Sequence, residues 1–565
     1  MKFILGAHEA AVQARVRALA SAGAAERIWR RDARFWDGDA ERERSVDARL
    51  GWLDVGAGTR GRAGELDEFA RSVAAAGFRD AVVLGMGGSS LAPEVLARTF
   101  GPYARSLRLH VLDTTDPATI LAVRRAVDPA ATLFIVSSKS GTTIEAISLF
   151  EYFHAIVAAT RRERAGDSFV AITDEGTPLQ TLAQQHGFRR VFINPGDIGG
   201  RYSALSYFGA VPAALAGIDV ARLLDRGVAA AAEARAPDSE ALRLGATLGE
   251  LARAGRDKCT LIVSPGVASL ALWLEQLIAE STGKLGRGIL PVAGEPLGSP
   301  RQYADDRVFV QLRLEADNTG EDDAAVGGLA AEGHPVIVLE MEDAHDLGRQ
   351  FFLWEFAIAV AGHVLEINPF DEPNVQESKD NTNRVLRDLA SRGTLDEPGN
   401  AVAGPVALSG GGTPSEDVRG AVAQLLTQLR AHDYLAITAY TPQTAAADAL
   451  FADVRALIRN ERRVATTLGY GPRFLHSTGQ LHKGGAPQGV FLQVTAPDAE
   501  DLPVPGKQFT FGQLKRAQSI GDFQSLLAHG RPVLRIHLGA DVEAGLRDLR
   551  DAIRGAVNRP GALRR

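Results

Sequence analysis

Apolar residues recur along the chain with two different spacings, and the change between them divides it. From residue 1 to about 75, Ala, Leu and Val alternate with Arg, Glu and Asp at helical spacing, with Trp29, Phe35, Trp36 and Trp52 as candidate packing anchors. Residues 1–75 are therefore expected to be helices that brace the remainder of the chain. From Asp80 the pattern switches to short apolar, β-branched runs: Ala81–Leu84, Leu109–Leu112, Leu133–Val136, Phe169–Ile172 and Arg190–Ile193. Helical patterns separate them, at intervals of roughly 30 residues, the length of one strand–helix unit. Such alternation predicts a doubly wound, largely parallel sheet whose ligands sit at the carboxyl ends of the strands.

A second α/β section starts near Leu242. It carries a helix patterned on Leu270, Leu272, Leu274, Leu277 and Ile278, strands at Thr260–Val263, Arg307–Leu312 and Pro335–Leu339, and a long apolar helix from Asp346 to Ile367. A glycine-rich stretch, Gly410-Gly411-Gly412-Thr413-Pro414-Ser415, marks a linker. A third α/β unit runs from Asp433 to about Ala556. The expected division is a helical segment over 1–75, α/β units over 76–235 and 236–395, a linker over 396–428 and a C-terminal unit over 429–565.

Composition narrows the class. At 565 residues the chain exceeds one core, and length alone suggests roughly three to four domains. With 45% hydrophobic and 23% charged residues it reads as a globular protein. A net charge of −7 gives no reason to expect nucleic acid as a partner. No run of 18 apolar residues suggests a membrane span, and the first residues are too weakly apolar for a signal peptide. The single cysteine, Cys259, precedes a strand-like run and cannot form an internal disulfide, which points to a buried thiol in a cytoplasmic chain.

The stretch Phe134 to Ile147 concentrates candidate chemistry. An apolar run ends at Ser137, Ser138, Lys139, Ser140, Gly141, Thr142 and Thr143, and a helical pattern comes next. Free N–H groups at a helix start, with several hydroxyls beside them, suit a phosphate; an ordinary capped turn has the same composition. Gly85-Met86-Gly87-Gly88-Ser89-Ser90 after the first strand is a poor dinucleotide fingerprint, because Ser90 takes the third glycine position. Its glycines could instead bring backbone close to a small substrate, with Ser89 aimed at it. Three charged residues stand out by position: Arg201 after Gly199-Gly200, Glu280 at the end of an apolar helix where its charge opposes the helix dipole, and Lys379 opening a later helix. Each alone is as compatible with a solvated surface.

Together these motifs resemble glucose-6-phosphate isomerase, a family built from two sugar-isomerase (SIS) domains. Gly87-Gly88-Ser89, Ser138-Lys139-Ser140-Gly141-Thr142-Thr143, Gly200-Arg201-Tyr202-Ser203, Glu280-Ser281-Thr282-Gly283-Lys284 and Asn368-Pro369-Phe370-Asp371 with Lys379 keep the family's order over about residues 80 to 390. More narrowly, the chain is similar to the isomerase portion of bacterial transaldolase/isomerase fusions. The resemblance implies two SIS domains and interconversion of glucose 6-phosphate and fructose 6-phosphate without cofactor or metal. It implies that Ser138, Lys139, Ser140, Thr142 and Thr143 hold the phosphate near Gly88, Ser89 and Gly200, that Glu280 shuttles the proton, that Arg201 stabilises the enediolate and that Lys379 assists ring opening.

Two departures matter. Glu372 stands where the family has glutamine, so that its charge either weakens phosphosugar binding or is offset by Lys379. The family's ring-opening histidine is absent from Tyr303–Val308. Leu475-His476-Ser477-Thr478-Gly479-Gln480 in the third unit resembles that histidine motif instead. Val490-Phe491-Leu492-Gln493 echoes Val308-Phe309-Val310-Gln311, and Gly530-Arg531-Pro532-Val533 echoes Gly333-His334-Pro335-Val336, with an insertion between the two matches in the later copy. The third unit is therefore expected to be a degenerate SIS-like copy of part of the second domain. It would supply His476 in place of a partner subunit, which leaves a monomer acting as a pseudo-dimer, or a homodimer, as the working unit.

Overall fold

The structure, a computed structural model, describes residues 1–36, 40–101, 106–395, 401–403, 406–410 and 417–557. The chain begins with a strand, β1 (Lys2–Ile4), before the expected helices. β1 pairs antiparallel with Val336–Val338, far along the chain, so the first residues close the edge of a later sheet. Helical periodicity in the neighbouring residues gives no sign of this three-residue edge strand.

The first sheet contains β2 (Asp80–Leu84), β3 (Arg108–Leu112), β4 (Thr132–Ser137), β5 (Phe169–Asp174) and β6 (Arg190–Asn194). All its pairs are parallel, in the order β3-β2-β4-β5-β6. β2 and β4 are buried along their whole length, which is why they read as unbroken apolar runs and not as alternating ones. Winding reverses between β2 and β4, and the crevice at such a switch point is where open α/β sheets bind ligands. The Gly85–Ser90 and Ser138–Thr143 loops both leave from it.

The second sheet has β7 (Lys258–Val263), β8 (Leu290–Val292), β9 (Arg307–Leu314) and β10 (Val336–Met341), in the order β1-β10-β9-β7-β8. β8 has no counterpart among the expected strands. The third sheet has β11 (Ala401–Ala403), β12 (Val406–Gly410), β13 (Tyr434–Tyr440), β14 (Ala465–Tyr470), β15 (Gly489–Thr495) and β16 (Val533–His537), in the order β11-β12-β16-β15-β13-β14. The expectation of a linker over 396–428 is corrected here. β12 pairs antiparallel with β16, and the helix Val418–Leu426 packs Val422 and Leu425 into the third core. Gly411 to Ser415 lie outside the described residues.

The second and third sheets share one plan: four parallel strands wound alike, with an antiparallel strand added beside the last. β9 and β15, and β10 and β16, are the pairs whose sequences echo one another. The 3-10 turn Arg473–His476 after β14 occupies the place of the turn Pro300–Gln302 after β8. The chain is thus an α/β protein of two doubly wound units and a third that repeats the second.

The third unit also grips the first. Between β15 and the helix Phe511–Ala528, the inserted segment places Leu502, Val504 and Phe511 in the core formed by β2, β4 and the helix Ile144–Arg161. Phe511 meets Tyr152 edge-on at 5.8 Å. Lys515 pairs with Asp116 at 2.8 Å and Arg473 with Asp113 at 2.7 Å. Phe511→Ala should destabilise the fold by about 3–5 kcal/mol, the usual effect of removing a buried phenyl ring. Hydrogen exchange should show the loss in the helix Ile144–Arg161 as well as in the third unit; a loss confined to residues after 417 would mean that the two fold independently.

Candidate active site

Three segments from different units meet at the switch point of the first sheet. The helix Ile144–Arg161 starts directly after the hydroxyl loop, and its N-cap residue, Thr143, makes no side-chain cap bond, so the first-turn N–H groups stay open to an anion. Within the loop, Ser138 Oγ shares a hydrogen bond with Thr143 Oγ1 at 2.9 Å and accepts one from Gly141 N at 3.1 Å; Ser140 and Thr142 share another at 2.9 Å. Gly141 turns the loop with φ +67°, and a Cβ there would lie 2.7 Å from Leu179 N. Thr142, Thr143, Glu145, Ser378, Lys379, His476 and Gln518 line a cleft of about 100 Å³.

Lys139 does not join this cleft. Its ammonium pairs with Asp174 and donates to Gly196 O at 3.0 Å, so it ties two loops of the first unit together. Ser89 is buried beside the cleft; its carbonyl accepts from Ser137 Oγ at 2.9 Å. The glycines of this loop allow close packing between site segments. A Cβ on Gly88 would fall 2.0 Å from Gly200 O, and one on Gly87 would fall 2.9 Å from His476 O.

The carboxylate pocket lies alongside. Glu280, on the helix Leu270–Thr282, is only 7% exposed. Gln276, one turn earlier, donates from Nε2 to Glu280 Oε2 at 2.9 Å and to His476 O at 2.8 Å, so a single amide spans the acidic residue and the histidine segment. Arg201 is almost completely enclosed. It donates to Ser281 Oγ (2.8 Å), Glu372 Oε2 (3.0 Å), Pro369 O (2.7 Å) and Asp371 O (3.0 Å), and its Nη1 lies 3.3 Å from Glu280 Oε1. Burial pushes Glu280 above the ordinary carboxylate range, more than the Arg201 guanidinium pulls it down. Burial also drives the Lys284 ammonium down to about 8, against the pull of Asp371.

One expectation is corrected by this geometry. The charge of Glu372 is offset by Arg201 and by Arg49, 3.6 Å from its other oxygen, and not by Lys379. Arg201 directs its donors to Ser281, Glu372, Pro369 and Asp371 of the protein itself.

Sequence reasoning missed three residues. Glu145, in the first turn of the phosphate-loop helix, accepts from His476 Nε2 at 2.9 Å and from Gln518 Nε2 at 2.7 Å. Although burial opposes ionisation, the neighbouring His476 holds the Glu145 carboxyl below its ordinary range, which suits it to accept from both partners. Gln518 is fixed in turn by Thr115 Oγ1 at 2.8 Å. Glu145 belongs to the loop-and-helix motif itself and was within reach of inspection; Gln276 and Gln518 were not, because nothing local marks them.

Parallel sheets wound in this way, with a hydroxyl loop at the switch point beside a buried carboxylate–arginine pair, give the chain an SIS-type sugar-isomerase fold. Solved structures agree: a hypothetical protein from Thermus thermophilus matches with a TM-score of 0.56 and 26% identity, covering 67% of this chain and 95% of that one. A glucose-6-phosphate isomerase from Chlamydia trachomatis shares the fold with a TM-score of 0.51 and 21% identity, over 66% of this chain and 80% of its own. The phosphoglucose isomerase family model matches residues 63–285. The glucose-6-phosphate isomerase of Thermus thermophilus is 30% identical over 383 residues, covering 60% of this chain and 90% of that protein, and that of Mycoplasmopsis pulmonis is 28% identical over 386 residues, covering 60% and 90%. The chain belongs to the glucose-6-phosphate isomerase family.

Replacing Ser140 and Thr143 together by alanine should weaken binding of a hexose phosphate about 10²-fold or more, since hydrogen bonds to a charged group are worth about 1.5–3 kcal/mol each, while the helix N–H groups retain part of the affinity. Calorimetric titration checks this; unchanged affinity would remove the loop from that task.

Proposed function

We propose that this chain interconverts D-glucose 6-phosphate and D-fructose 6-phosphate through an enediol(ate), with one complete site per chain. The observation that carries the assignment of roles is the amide of Gln276, which bridges Glu280 of the second unit and the His476 segment of the third. His476 lines the cleft beside the hydroxyl loop, and the Gln276 amide joins its segment to the Glu280 pocket alongside, which supports assigning proton transfer at the ring oxygen and at carbon to these two groups.

In this reading the hydroxyl loop and the open helix start hold the phosphate. Lys379 and Nδ1 of His476 move protons to and from the ring oxygen and its hydroxyl, which opens the cyclic sugar. Glu280 takes the proton from C2 of the open chain and returns it to C1, while a hydroxyl proton passes from O2 to O1. Burial keeps Glu280 basic enough to accept a carbon-bound proton, and Arg201 offers a fixed positive charge as the enediolate forms. Glu145 holds the His476 tautomer, and Gln518 holds Glu145. No step calls for a metal or cofactor. Sugar phosphate is the partner this site fits. A working unit of one chain and a cytoplasmic setting belong to the same proposal, the first supported by the intrachain approach of His476 to the Glu280 pocket.

Glu280→Gln should lower turnover by about 10²-fold or more, as loss of a general base does, while hexose phosphate still binds. A coupled assay on glucose 6-phosphate, with mannose 6-phosphate in parallel, reads this; near-normal turnover would remove Glu280 from the role. Equal turnover of both sugars would make the enzyme a dual phosphoglucose/phosphomannose isomerase, and no turnover of either would leave a binding protein. His476→Ala should slow cyclic substrate far more than open-chain substrate. Equal slowing of both would assign the histidine to another step.

A further inference from the structure

The isomerase reading gives Glu280 its partner in Arg201 and leaves Glu372 without a task. This residue is a second carboxylate on the same guanidinium, where the family signature has an uncharged amide. Its Oε2 accepts from Arg201 Nη1 at 3.0 Å, and that same Nη1 faces Glu280 Oε1 at 3.3 Å. Its other oxygen lies 3.6 Å from Nη2 of Arg49, which the N-terminal segment contributes. Charges therefore alternate in a line: Arg49, Glu372, Arg201, Glu280. Arg201 cannot turn to favour either carboxylate, because Ser281 holds its Nε and the carbonyls of Pro369 and Asp371 hold its Nη2.

We infer that Glu372 and Arg49 are a compensating pair that positions Arg201 and sets how much of its charge Glu280 feels, so that Glu372 serves the base and not the sugar. A glutamine at 372 would accept the same hydrogen bond from Arg201 without drawing on its charge. With the carboxylate there, the guanidinium is shared, and Glu280 remains a stronger base than a private ion pair would leave it. Arg49 guards the opposite limit, in which two carboxylates around one cation would retain a proton between them.

The other groups facing Glu280 do not duplicate this control. Gln276 is neutral, and His476 arrives from the third unit with its own carboxylate, Glu145. Lys284 is bonded to Asp371, and Tyr202 meets Ser281 through its hydroxyl at 3.2 Å. Removing Glu372 or Arg49 changes the charge beside Arg201 by one unit in opposite directions while those groups stay in place. The inference rests on the isomerase reading and adds to it the origin of the basicity of Glu280.

The test is a double-mutant cycle on Arg49→Met and Glu372→Gln in the full chain, with kcat/KM for fructose 6-phosphate followed against pH. Glu372→Gln should move the acidic limb down by about half a unit to one unit, the effect of losing one nearby like charge, and lower kcat. Arg49→Met should move that limb up by a similar amount, and the double variant should return close to the parent. Arg49→Lys, which keeps the charge, should leave the limb in place and so separate charge from folding. If both single variants lose kcat with the limb unmoved, and the losses multiply in the double variant, the two residues are only structural and the inference is overturned. An inactive parent chain would overturn the isomerase reading and this inference with it; an active parent with unmoved limbs overturns the inference alone.

Discussion

The helix Phe511–Ala528 and the turn Arg473–His476 belong to the third unit, yet both also reach into the other two. Phe511 sits in the core of the first unit, Gln518 bonds to Thr115 and Glu145 there, and the His476 carbonyl receives the Gln276 amide of the second. Everything chemical in the site depends on that three-way docking. A histidine carried on a separate lobe would need its approach to Glu280 re-established at each turnover, whereas here apolar burial and buried polar bonds fix it in advance. Preorganisation of this kind moves the cost of orienting catalytic groups from the reaction to folding.

The buried charges add specificity more than stability. Taking Arg201, Glu280 and Lys284 out of water is strongly unfavourable, and attraction among them and to the half-buried Glu372 and Asp371 offsets it only through the hydrogen bonds that join the set. Deleting one member of such a set is far worse than never having built it, since the others are left unpaired. The site therefore depends on every loop that supplies a member: the Gly200 turn, the end of the helix Leu270–Thr282, the Asn368–Glu372 segment and Arg49 before the first unit.

The repeat accounts for how one chain would hold a whole site in the proposed reading. Four strands wound in the same order, with an added antiparallel neighbour, appear in the second and third sheets. The second unit keeps Glu280 near the end of the helix after β7 and has no histidine after β8; the third has His476 after β14. In that reading, roles that need two copies of a domain are divided between unlike copies, and each differs from the other where it has no task. The insertion ahead of Phe511 is one such change, and it became the clamp on the first unit.

Much of this was legible in the chain. Parallel strands covered on both faces must be apolar throughout, so their positions in the first sheet, and β7, β9 and β10 in the second, follow from residue type alone. The order of loop motifs pointed to the family, and the histidine motif pointed to the third unit. Other features had no local signature. A three-residue strand such as Lys2–Ile4 is defined only by the edge it completes, and glycine-rich sequence around residue 410 looks like a linker whether or not β16 is there to pair with β12. Lys139 lies in a phosphate motif, but its long side chain turns to the nearest carboxylate, Asp174. The partners of Glu372, and the bridging roles of Gln276 and Gln518, come from residues hundreds of positions apart. Sequence determines which groups can ionise or donate; which of them share a buried space, and so whose charge each one feels, is decided only when the three units pack.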